Sequence, residues 1–175
     1  MPRWNSASPV LIIFGGLPAT GKTTLARAVA SKVSATYVRI DSIEHVIRRS
    51  GTVEDLAYRV AYAIAEDNLR VGQSVVADSV NPIRLTREAW LQVAHRTKAR
   101  PIAVEVKCSD QGEHRRRLEQ RDCDIPGPSL LWEDVISREY DPWGSDRFVV
   151  DTFGCGIEEN VNAILTHVAV QKQAV

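Results

Sequence analysis

The chain has 175 residues, of which 44% are hydrophobic and 25% are charged, and its 22 Lys and Arg residues balance its 22 Asp and Glu residues. These values are typical of one globular domain of ordinary size. The formal net charge of zero gives no global attraction to nucleic acid or to anionic membranes, so any anionic ligand has to be bound locally. No apolar run approaches the roughly 20 residues that span a bilayer, and the first residues contain no apolar signal core. We therefore expect a cytoplasmic protein without a membrane partner.

The hydrophobic pattern alternates between strands and helices along the chain. In chain order it predicts strand 10–15, helix 22–33, strand 36–41, helix 43–49, helix 53–71, strand 74–78, helix 84–97, strand 101–106, helix 111–120, helix 131–140, strand 148–151 and helix 157–168. Strands joined by helical crossovers form a mainly parallel sheet that is covered on both faces. The prediction is therefore an α/β protein, a three-layer α/β/α sandwich with five strands, formed by a single domain over residues 1–175.

The segment after the first strand carries the most specific motif. It fits the phosphate-binding pattern Gly-x-x-x-x-Gly-Lys-Ser/Thr and consists of Gly16, Leu17, Pro18, Ala19, Thr20, Gly21, Lys22, Thr23 and Thr24. A strand precedes it and a helix follows it, which is the context in which backbone N–H groups and a helix N-terminus bind phosphate. We expect this loop to bind ATP, with Lys22 at the β- and γ-phosphates and the Thr23 hydroxyl on Mg²⁺. An Asn-Lys-x-Asp guanine motif is absent from the sequence, which favours ATP over GTP.

Two predicted strands end in a carboxylate, at the edge where parallel sheets bind ligands. Asp41 fits a general base that accepts the proton of an acceptor hydroxyl. It also fits a helix N-cap, and the two roles are compatible. Asp78 follows an apolar run as in a Walker B motif, so we expect it to hold Mg²⁺ or to bind substrate; the alternative is a turn residue. Asn81 and Arg87 come shortly after it and are further candidates for substrate binding, although each alone is also typical of an ordinary surface position.

The helix 111–120 places basic residues before a loop that contains Asp, Pro and Gly. Arg117 and Arg121 are four residues apart and share a helix face. We expect them to form a short lid, around residues 115–131, that neutralises charge on the transferred phosphoryl group. The alternative is a solvated helix, which is our interpretation for Arg115 and Arg116. Trp132 and Trp143 flank the same region, and the sequence does not distinguish pocket lining from packing for either.

These features together resemble a known family. The residues that carry the resemblance are the phosphate loop, Asp41, Asp78, Asn81, Arg87, Arg117 and Arg121. They look like the small P-loop kinases, often grouped as AAA-type family 33 ATPases, which include gluconate kinase, chloramphenicol phosphotransferase, zeta toxins and the kinase domain of phage polynucleotide kinase. The resemblance implies a P-loop NTPase fold with strand order 2-3-1-4-5, an acceptor-activating role for Asp41, and phosphate contacts for the two lid arginines.

The leading hypothesis from the sequence is an Mg²⁺-dependent transfer of the γ-phosphoryl group of ATP to a hydroxyl of a small molecule, such as a sugar, an antibiotic or a nucleotide-like acceptor. One alternative is a polynucleotide 5′-hydroxyl kinase, against which the neutral charge argues. Another is a nucleotide-hydrolysing switch, against which Ser79 argues, because it stands where such enzymes carry a second acidic residue. The sequence identifies neither the acceptor nor the oligomeric state.

Overall fold

The computed structural model describes residues 8–49, 51, 55–122, 124–126 and 130–173. Strands and helices alternate through these residues. In chain order they are β1 (Val10–Gly15), α1 (Lys22–Val33), β2 (Thr36–Arg39), α2 (Ile40–Arg48), α3 (Leu56–Arg70), β3 (Val75–Asp78), α4 (Arg84–Thr97), β4 (Arg100–Lys107), α5 (Gln111–Glu119), α6 (Trp132–Ile136), β5 (Arg147–Asp151) and α7 (Ile157–Gln173).

The five strands form one parallel sheet in the order β2-β3-β1-β4-β5. This arrangement confirms the predicted α/β class and the strand order that the resemblance implied. The register aligns Phe14 of β1 with Asp78 of β3, and Asp78 with Arg39 of β2. The carboxyl ends of three neighbouring strands therefore lie side by side, and the segments that follow them share one edge of the sheet.

The central strand β1 is buried along its whole length, because helices cover both faces of the sheet. Its side chains alternate between two hydrophobic clusters. Ile12 and Phe14 pack with residues of α1 and α7, while Leu11 and Ile13 pack with residues of α3 and α4. Three alanines of α3 are fully buried in the second cluster: Ala57, Ala61 and Ala65. Their small side chains let the helix approach the sheet closely, which fixes the position of the edge that carries the site.

The boundary after β2 differs from the prediction. The strand ends at Arg39 and α2 begins directly at Ile40, three residues earlier than expected. Ile40 is only 2% exposed and packs into the core, so the chain enters the helix without an intervening loop. Asp41 therefore lies in the first turn of α2 instead of ending the strand, and Arg39 occupies the N-cap position without a side-chain cap. The alternative role of Asp41 as an N-cap was wrong.

Helix α6 is also shorter than predicted, and it ends at Ile136. The segment that follows α6 is bound to the segment between β3 and α4, because the backbone N–H of Asp141 donates to the Pro82 carbonyl at 2.8 Å. The predicted start of the third helix at residue 53 lies outside the described residues, as do residues 123 and 127–129 of the predicted lid.

Candidate active site

The phosphate loop between β1 and α1 has a backbone that requires glycine at two positions. Gly16 has φ 147° and Gly21 has φ 91°. A Cβ atom at position 16 would lie 2.3 Å from the Val106 carbonyl oxygen of β4, and the Gly16 N–H donates to the Val80 carbonyl at 3.1 Å. The start of the loop thus lies between β4 and the segment that follows β3. Helix α1 begins at Lys22 without a side-chain cap, so its first N–H groups are available to an anion.

Side chains bind three backbone carbonyl groups of this loop, those of Leu17, Pro18 and Thr20. Thr152, which follows β5, donates its hydroxyl to the Thr20 carbonyl at 2.8 Å, and Thr20 donates its own hydroxyl to the Leu17 carbonyl at 2.9 Å. His114 of α5 places Nε2 2.7 Å from the Pro18 carbonyl oxygen. A carbonyl oxygen can only accept, so this contact requires a proton on Nε2. With these carbonyls held by side chains, the loop is preformed for a ligand that accepts hydrogen bonds.

Lys22 and Asp78 form a buried ion pair at the base of the loop. Lys22 Nζ donates to Asp78 Oδ1 at 2.9 Å, and the Tyr37 hydroxyl donates to Asp78 Oδ2 at 2.6 Å. Burial alone would raise the pKa of the Asp78 carboxyl, but the charge of Lys22 and the hydrogen bonds of Tyr37, Lys22 and Thr23 hold that pKa below its usual range. Burial and the neighbouring Asp78 charge raise the pKa of Tyr37. Asp78 is therefore an anion and Tyr37 a hydrogen-bond donor at neutral pH.

The donor atoms beside Lys22 fit a magnesium ion. Thr23 directly follows Lys22, whose Nζ lies 2.9 Å from Asp78 Oδ1, and Thr23 contributes to the lowered pKa of the Asp78 carboxyl. A hydroxyl and an ionised carboxylate are the hard oxygen ligands that Mg²⁺ prefers. The predicted pair of metal residues, Thr23 and Asp78, is thus brought together next to the phosphate loop.

Asp41 lies at the same edge of the sheet, two residues after the register partner of Asp78. Its side chain is 40% exposed, and its Oδ2 is 3.7 Å from Nη2 of Arg39. Glu44, one turn further along α2, has a pKa raised by burial and by the charge of Asp41, against the opposing charges of Arg48 and Arg138. Asp41 and Glu44 thus lie near each other on α2, and the Arg48 guanidinium lies 3.3 Å from the Glu44 carboxylate.

Asn81 does not face this edge. Its side chain is fully buried: Nδ2 donates to the Phe14 carbonyl at 2.7 Å, and Oδ1 accepts from Trp90 Nε1 at 3.1 Å. Since both ends of the amide are used inside the protein, Asn81 joins β1 to α4. The structure corrects the prediction that it binds substrate.

Arg87 is likewise a structural residue. It is 9% exposed and donates to the carbonyls of Asp141 at 3.0 Å and Pro142 at 3.1 Å. Its guanidinium carbon lies 4.8 Å from the centre of the Trp143 ring, and this geometry fits a cation–π contact. Arg87 therefore fixes the segment after α6 against α4, and its predicted contact with substrate is also corrected.

Both tryptophans near the predicted lid are half-buried and pack against other parts of the protein. A Cβ atom at Gly15 would lie 2.1 Å from Cζ2 of Trp143, so the indole covers the end of β1. Trp132 makes an edge-to-face contact with His114, with 5.1 Å between the ring centroids. It thereby supports the histidine that binds the phosphate loop.

The two predicted lid arginines have different environments. Arg117 donates to Glu113 Oε1 at 2.7 Å, to Thr152 Oγ1 at 2.8 Å and to the Thr152 carbonyl at 3.0 Å. Arg117 is therefore bound to Thr152, which supports the phosphate loop. Its side chain does not extend over the loop, as had been expected. Arg121 is exposed, and within the described part of the chain its guanidinium has neither an ion pair nor a hydrogen bond. The role of Arg121 as a lid arginine therefore stays a prediction.

Sequence reasoning missed several residues of this edge: Arg27, Tyr37, Arg39, His114, Asp124 and Thr152. Thr152 follows a predicted strand directly, which was the one signal available for it. The others act through contacts between residues far apart in the chain, and the spacing of the sequence does not reveal these.

No helix in the described ranges is both long enough and apolar enough to cross a membrane.

The model of the AAA domain AAA_33 matches residues 11–137. No curated protein matches the sequence.

Solved structures with a similar fold cover nearly the whole chain. Gluconokinase from Sinorhizobium meliloti 1021 is 19% identical, with a TM-score of 0.69 and 96% of each chain covered. Mycobacterium tuberculosis APS kinase CysC, in complex with AMPPNP and APS, is 16% identical, with a TM-score of 0.69 and coverage of 94% of this chain and 99% of that chain. Chaetomium thermophilum Kti12, in complex with ADP-AlF3, is 22% identical, with a TM-score of 0.70 and coverage of 93% and 98%. At these identities the similarity establishes the fold.

Proposed function

Because the chain belongs to the AAA_33 family of AAA domains, as its resemblance to the small P-loop kinases indicated, we propose that it transfers the γ-phosphoryl group of ATP to a hydroxyl of a small molecule. The observation that carries the proposal is the buried pair of Lys22 and Asp78 beneath a preformed phosphate loop. Two of the similar structures, APS kinase and Kti12, contain AMPPNP and ADP-AlF3, and this supports nucleotide binding by this chain.

On the donor side, backbone N–H groups of the loop and of the first turn of α1 bind the phosphate oxygens. Lys22 reaches the β- and γ-phosphates from the base of the loop. The Thr23 hydroxyl and the Asp78 carboxylate would hold Mg²⁺, which would supply neutralisation of phosphate charge. Tyr37 keeps the Asp78 carboxylate oriented through its hydrogen bond of 2.6 Å.

On the acceptor side, Asp41 is the general base. Its carboxylate is partly exposed at the edge of the sheet and accepts the proton of the acceptor hydroxyl as that oxygen attacks the γ-phosphorus. The new P–O bond forms in line with the bond that breaks, and ADP leaves with the bridging oxygen. Arg121 contributes positive charge to the transferred group from the lid. Arg117 contributes through Thr152, which it holds against the loop.

The acceptor is proposed only as a class. Glu44 lies near Asp41, and Arg48 and Arg138 act on Glu44 in turn, so that the surroundings of the base are polar and carry both signs of charge. Such surroundings suit a small polar molecule with several hydroxyl groups. The gluconokinase and the APS kinase among the similar structures support this class, and they do not identify a compound.

The test is the fate of the label from ATP labelled with ³²P at the γ-position. The protein is incubated with Mg²⁺ and a panel of sugars, sugar acids, aminoglycosides, nucleosides and oligonucleotides with a free 5′-hydroxyl. We expect label in an organic phosphate with one small-molecule class and not with the others. Label in the oligonucleotide alone would support a polynucleotide kinase. Label only in inorganic phosphate, at one rate with every compound, would contradict a kinase and support a nucleotide-hydrolysing switch.

A further inference from the structure

Tyr37 binds the Asp78 carboxylate from the strand at the edge of the sheet. It lies on β2, and its register partner on β3 is Val76, two residues before Asp78. Side chains two residues apart in a strand point to the same face of the sheet. Tyr37, Val76 and Asp78 therefore share the face on which Tyr37 and Val76 pack with α1, and the phenol reaches the carboxylate across one strand spacing.

The two oxygens of this carboxylate have different partners. The Tyr37 hydroxyl donates to Oδ2 at 2.6 Å, and Lys22 Nζ donates to Oδ1 at 2.9 Å. The donors come from opposite sides, because β3 lies between β2, which carries Tyr37, and β1, whose loop leads to Lys22. Hydrogen bonds to an ionised carboxylate are strong, and one at each oxygen restricts the rotation of the Asp78 side chain.

Of these two donors, Lys22 has a second partner in the proposed reaction. Its proposed contact is with the β- and γ-phosphates, so a nucleotide in the loop would draw its ammonium group away from Oδ1. The Tyr37 ring is half-buried and packs against the hydrophobic cluster between the sheet and α1, and this packing holds its hydroxyl on Oδ2. Nucleotide binding would therefore free Oδ1 and leave Oδ2 engaged.

The number of free carboxylate oxygens matters differently to two common divalent cations. Ca²⁺ takes about six to eight oxygen ligands and accepts a carboxylate through one or both oxygens. Mg²⁺ demands a nearly octahedral arrangement and keeps several waters, so that one or two carboxylates together with phosphate oxygens are sufficient. A hydrogen bond on Oδ2 thus suits Mg²⁺ and withholds an oxygen that Ca²⁺ would otherwise use.

We propose that Tyr37 is a positioning residue that makes the site selective for Mg²⁺ over Ca²⁺. By binding Oδ2 of Asp78, it leaves a single carboxylate oxygen, Oδ1, for a cation beside the phosphate loop. This role rests on the proposed function, because the cation binds together with a nucleotide. The choice of metal is thereby assigned to a side chain that does not itself touch the metal.

The experiment measures how much each metal adds to nucleotide binding by the full chain. The Kd of mant-AMPPNP, whose terminal phosphate is not transferred, is measured by fluorescence titration in EDTA, with excess Mg²⁺ and with excess Ca²⁺. The metal gain is the Kd in EDTA divided by the Kd with that metal. A substitution that only disturbs the fold weakens binding in all three conditions and leaves both gains unchanged, so the gains report on the metal ligands.

For the wild-type chain we expect a gain from Mg²⁺ that exceeds the gain from Ca²⁺ about tenfold. Tyr37→Phe keeps the ring and removes the hydroxyl. It should lower the Mg²⁺ gain about tenfold, as for the loss of a hydrogen bond to a metal-binding carboxylate. It should lower the Ca²⁺ gain less than about twofold, because Oδ2 becomes available to that ion.

Tyr62→Phe is the matched control. It also removes the hydroxyl of a half-buried tyrosine, one that donates to the Thr86 carbonyl of α4 at 3.1 Å. It should change neither gain.

The proposal is overturned if the two gains are equal in the wild-type chain, or if Tyr37→Phe keeps the wild-type ratio between them. The first comparison needs no variant, so it tests the proposal even where Tyr37→Phe does not fold. Loss of the Mg²⁺ preference in Tyr37→Phe, in a chain that transfers phosphate to no acceptor, would support the role of Tyr37 and contradict the kinase. Transfer by the wild-type chain, with the ratio kept in Tyr37→Phe, would support the kinase and contradict the role of Tyr37.

Discussion

Lys22 and Asp78 form an ion pair of 2.9 Å in which the side chains are only 7% and 1% exposed. The pair joins the first residue of α1 to the last residue of β3, and it places a cation and the proposed metal ligand side by side below the phosphate loop. Because both charges are buried, each depends on the other for stability as well as for function.

Replacing Lys22 by Ala should abolish phosphoryl transfer with every acceptor, since Lys22 is the side chain proposed to bind the β- and γ-phosphates. It should also lower the free energy of unfolding by about 3–5 kcal/mol, the usual cost of breaking a buried pair. Urea unfolding and the ³²P assay measure the two effects. Lys32→Ala, on the same helix but exposed, is the control. Transfer at the wild-type rate by the Lys22 variant would refute the assigned role.

Asp41→Asn should leave nucleotide binding nearly intact and lower kcat about 100-fold or more, because the amide cannot accept the proton of the acceptor. Single-turnover transfer measures the chemical step, and mant-ATP titration measures binding. Asp67→Asn removes an exposed carboxylate of α3 and should change neither. If Asp41→Asn turned over normally, Asp41 would not be the base.

Asn81→Ala should lower the stability of the fold and leave the binding of the acceptor unchanged. The change leaves the Phe14 carbonyl and the Trp90 indole N–H without partners in a fully buried place, and each unsatisfied group costs about 1–3 kcal/mol. We expect a loss of about 2–5 kcal/mol in urea unfolding with KM for the acceptor unchanged. Gln92→Ala, an exposed amide on α4, should cost less than about 0.5 kcal/mol. A raised KM with full stability would restore Asn81 as a substrate residue.

Gly15→Ala should destabilise the protein through Trp143. The new methyl group would lie 2.1 Å from the indole, which has to move, at a cost of about 1–3 kcal/mol. The cost should fall when Trp143 is also replaced by Ala, and a double-mutant cycle in urea unfolding measures this coupling. Gly144→Ala has no atom within 4 Å of the added Cβ and serves as the control. Equal costs of Gly15→Ala in both backgrounds would show that the indole does not cover this position.

The pH dependence of the free energy of unfolding should reveal the contribution of the Glu113 carboxylate to stability. Hydrogen bonds from Arg116 and Arg117 lower the pKa of its carboxyl to about 2, against about 4.3 in an unfolded chain. A carboxyl whose pKa is lowered by folding contributes its stability above the unfolded value and loses it as the pH falls through the folded value. Wild-type stability should therefore fall between about pH 4.3 and pH 2, and Glu113→Gln should show a shallower fall. The same slope for both proteins in urea unfolding would contradict this account.

The sequence predicts best what is local. The apolar run of β1, the glycines at positions 16 and 21, and Lys22 follow each other within 13 residues from Val10 to Lys22, so one strand–loop–helix unit determines the phosphate site. Asp78 was also predictable, because a buried strand that ends in a carboxylate points it to the edge of a parallel sheet.

The roles of residues that depend on tertiary packing could not be predicted from the sequence. Asn81 and Arg87 occur at the expected distance after β3, yet their side chains face Trp90 and Trp143 instead of the site. Arg39 and Asp124 are 85 residues apart in the chain, and no pattern links them. Local reasoning therefore identified the phosphate loop, whereas the environments of these arginines depend on contacts between residues far apart in the chain.

Isothermal titration calorimetry with ATP and Mg²⁺ tests the central claim most directly, since every proposed role depends on a triphosphate in the loop of residues 16–24. We expect heat that saturates at one nucleotide per chain and disappears in Lys22→Ala. Absence of heat from folded wild-type protein, or unchanged heat in the Lys22→Ala variant, would contradict the account.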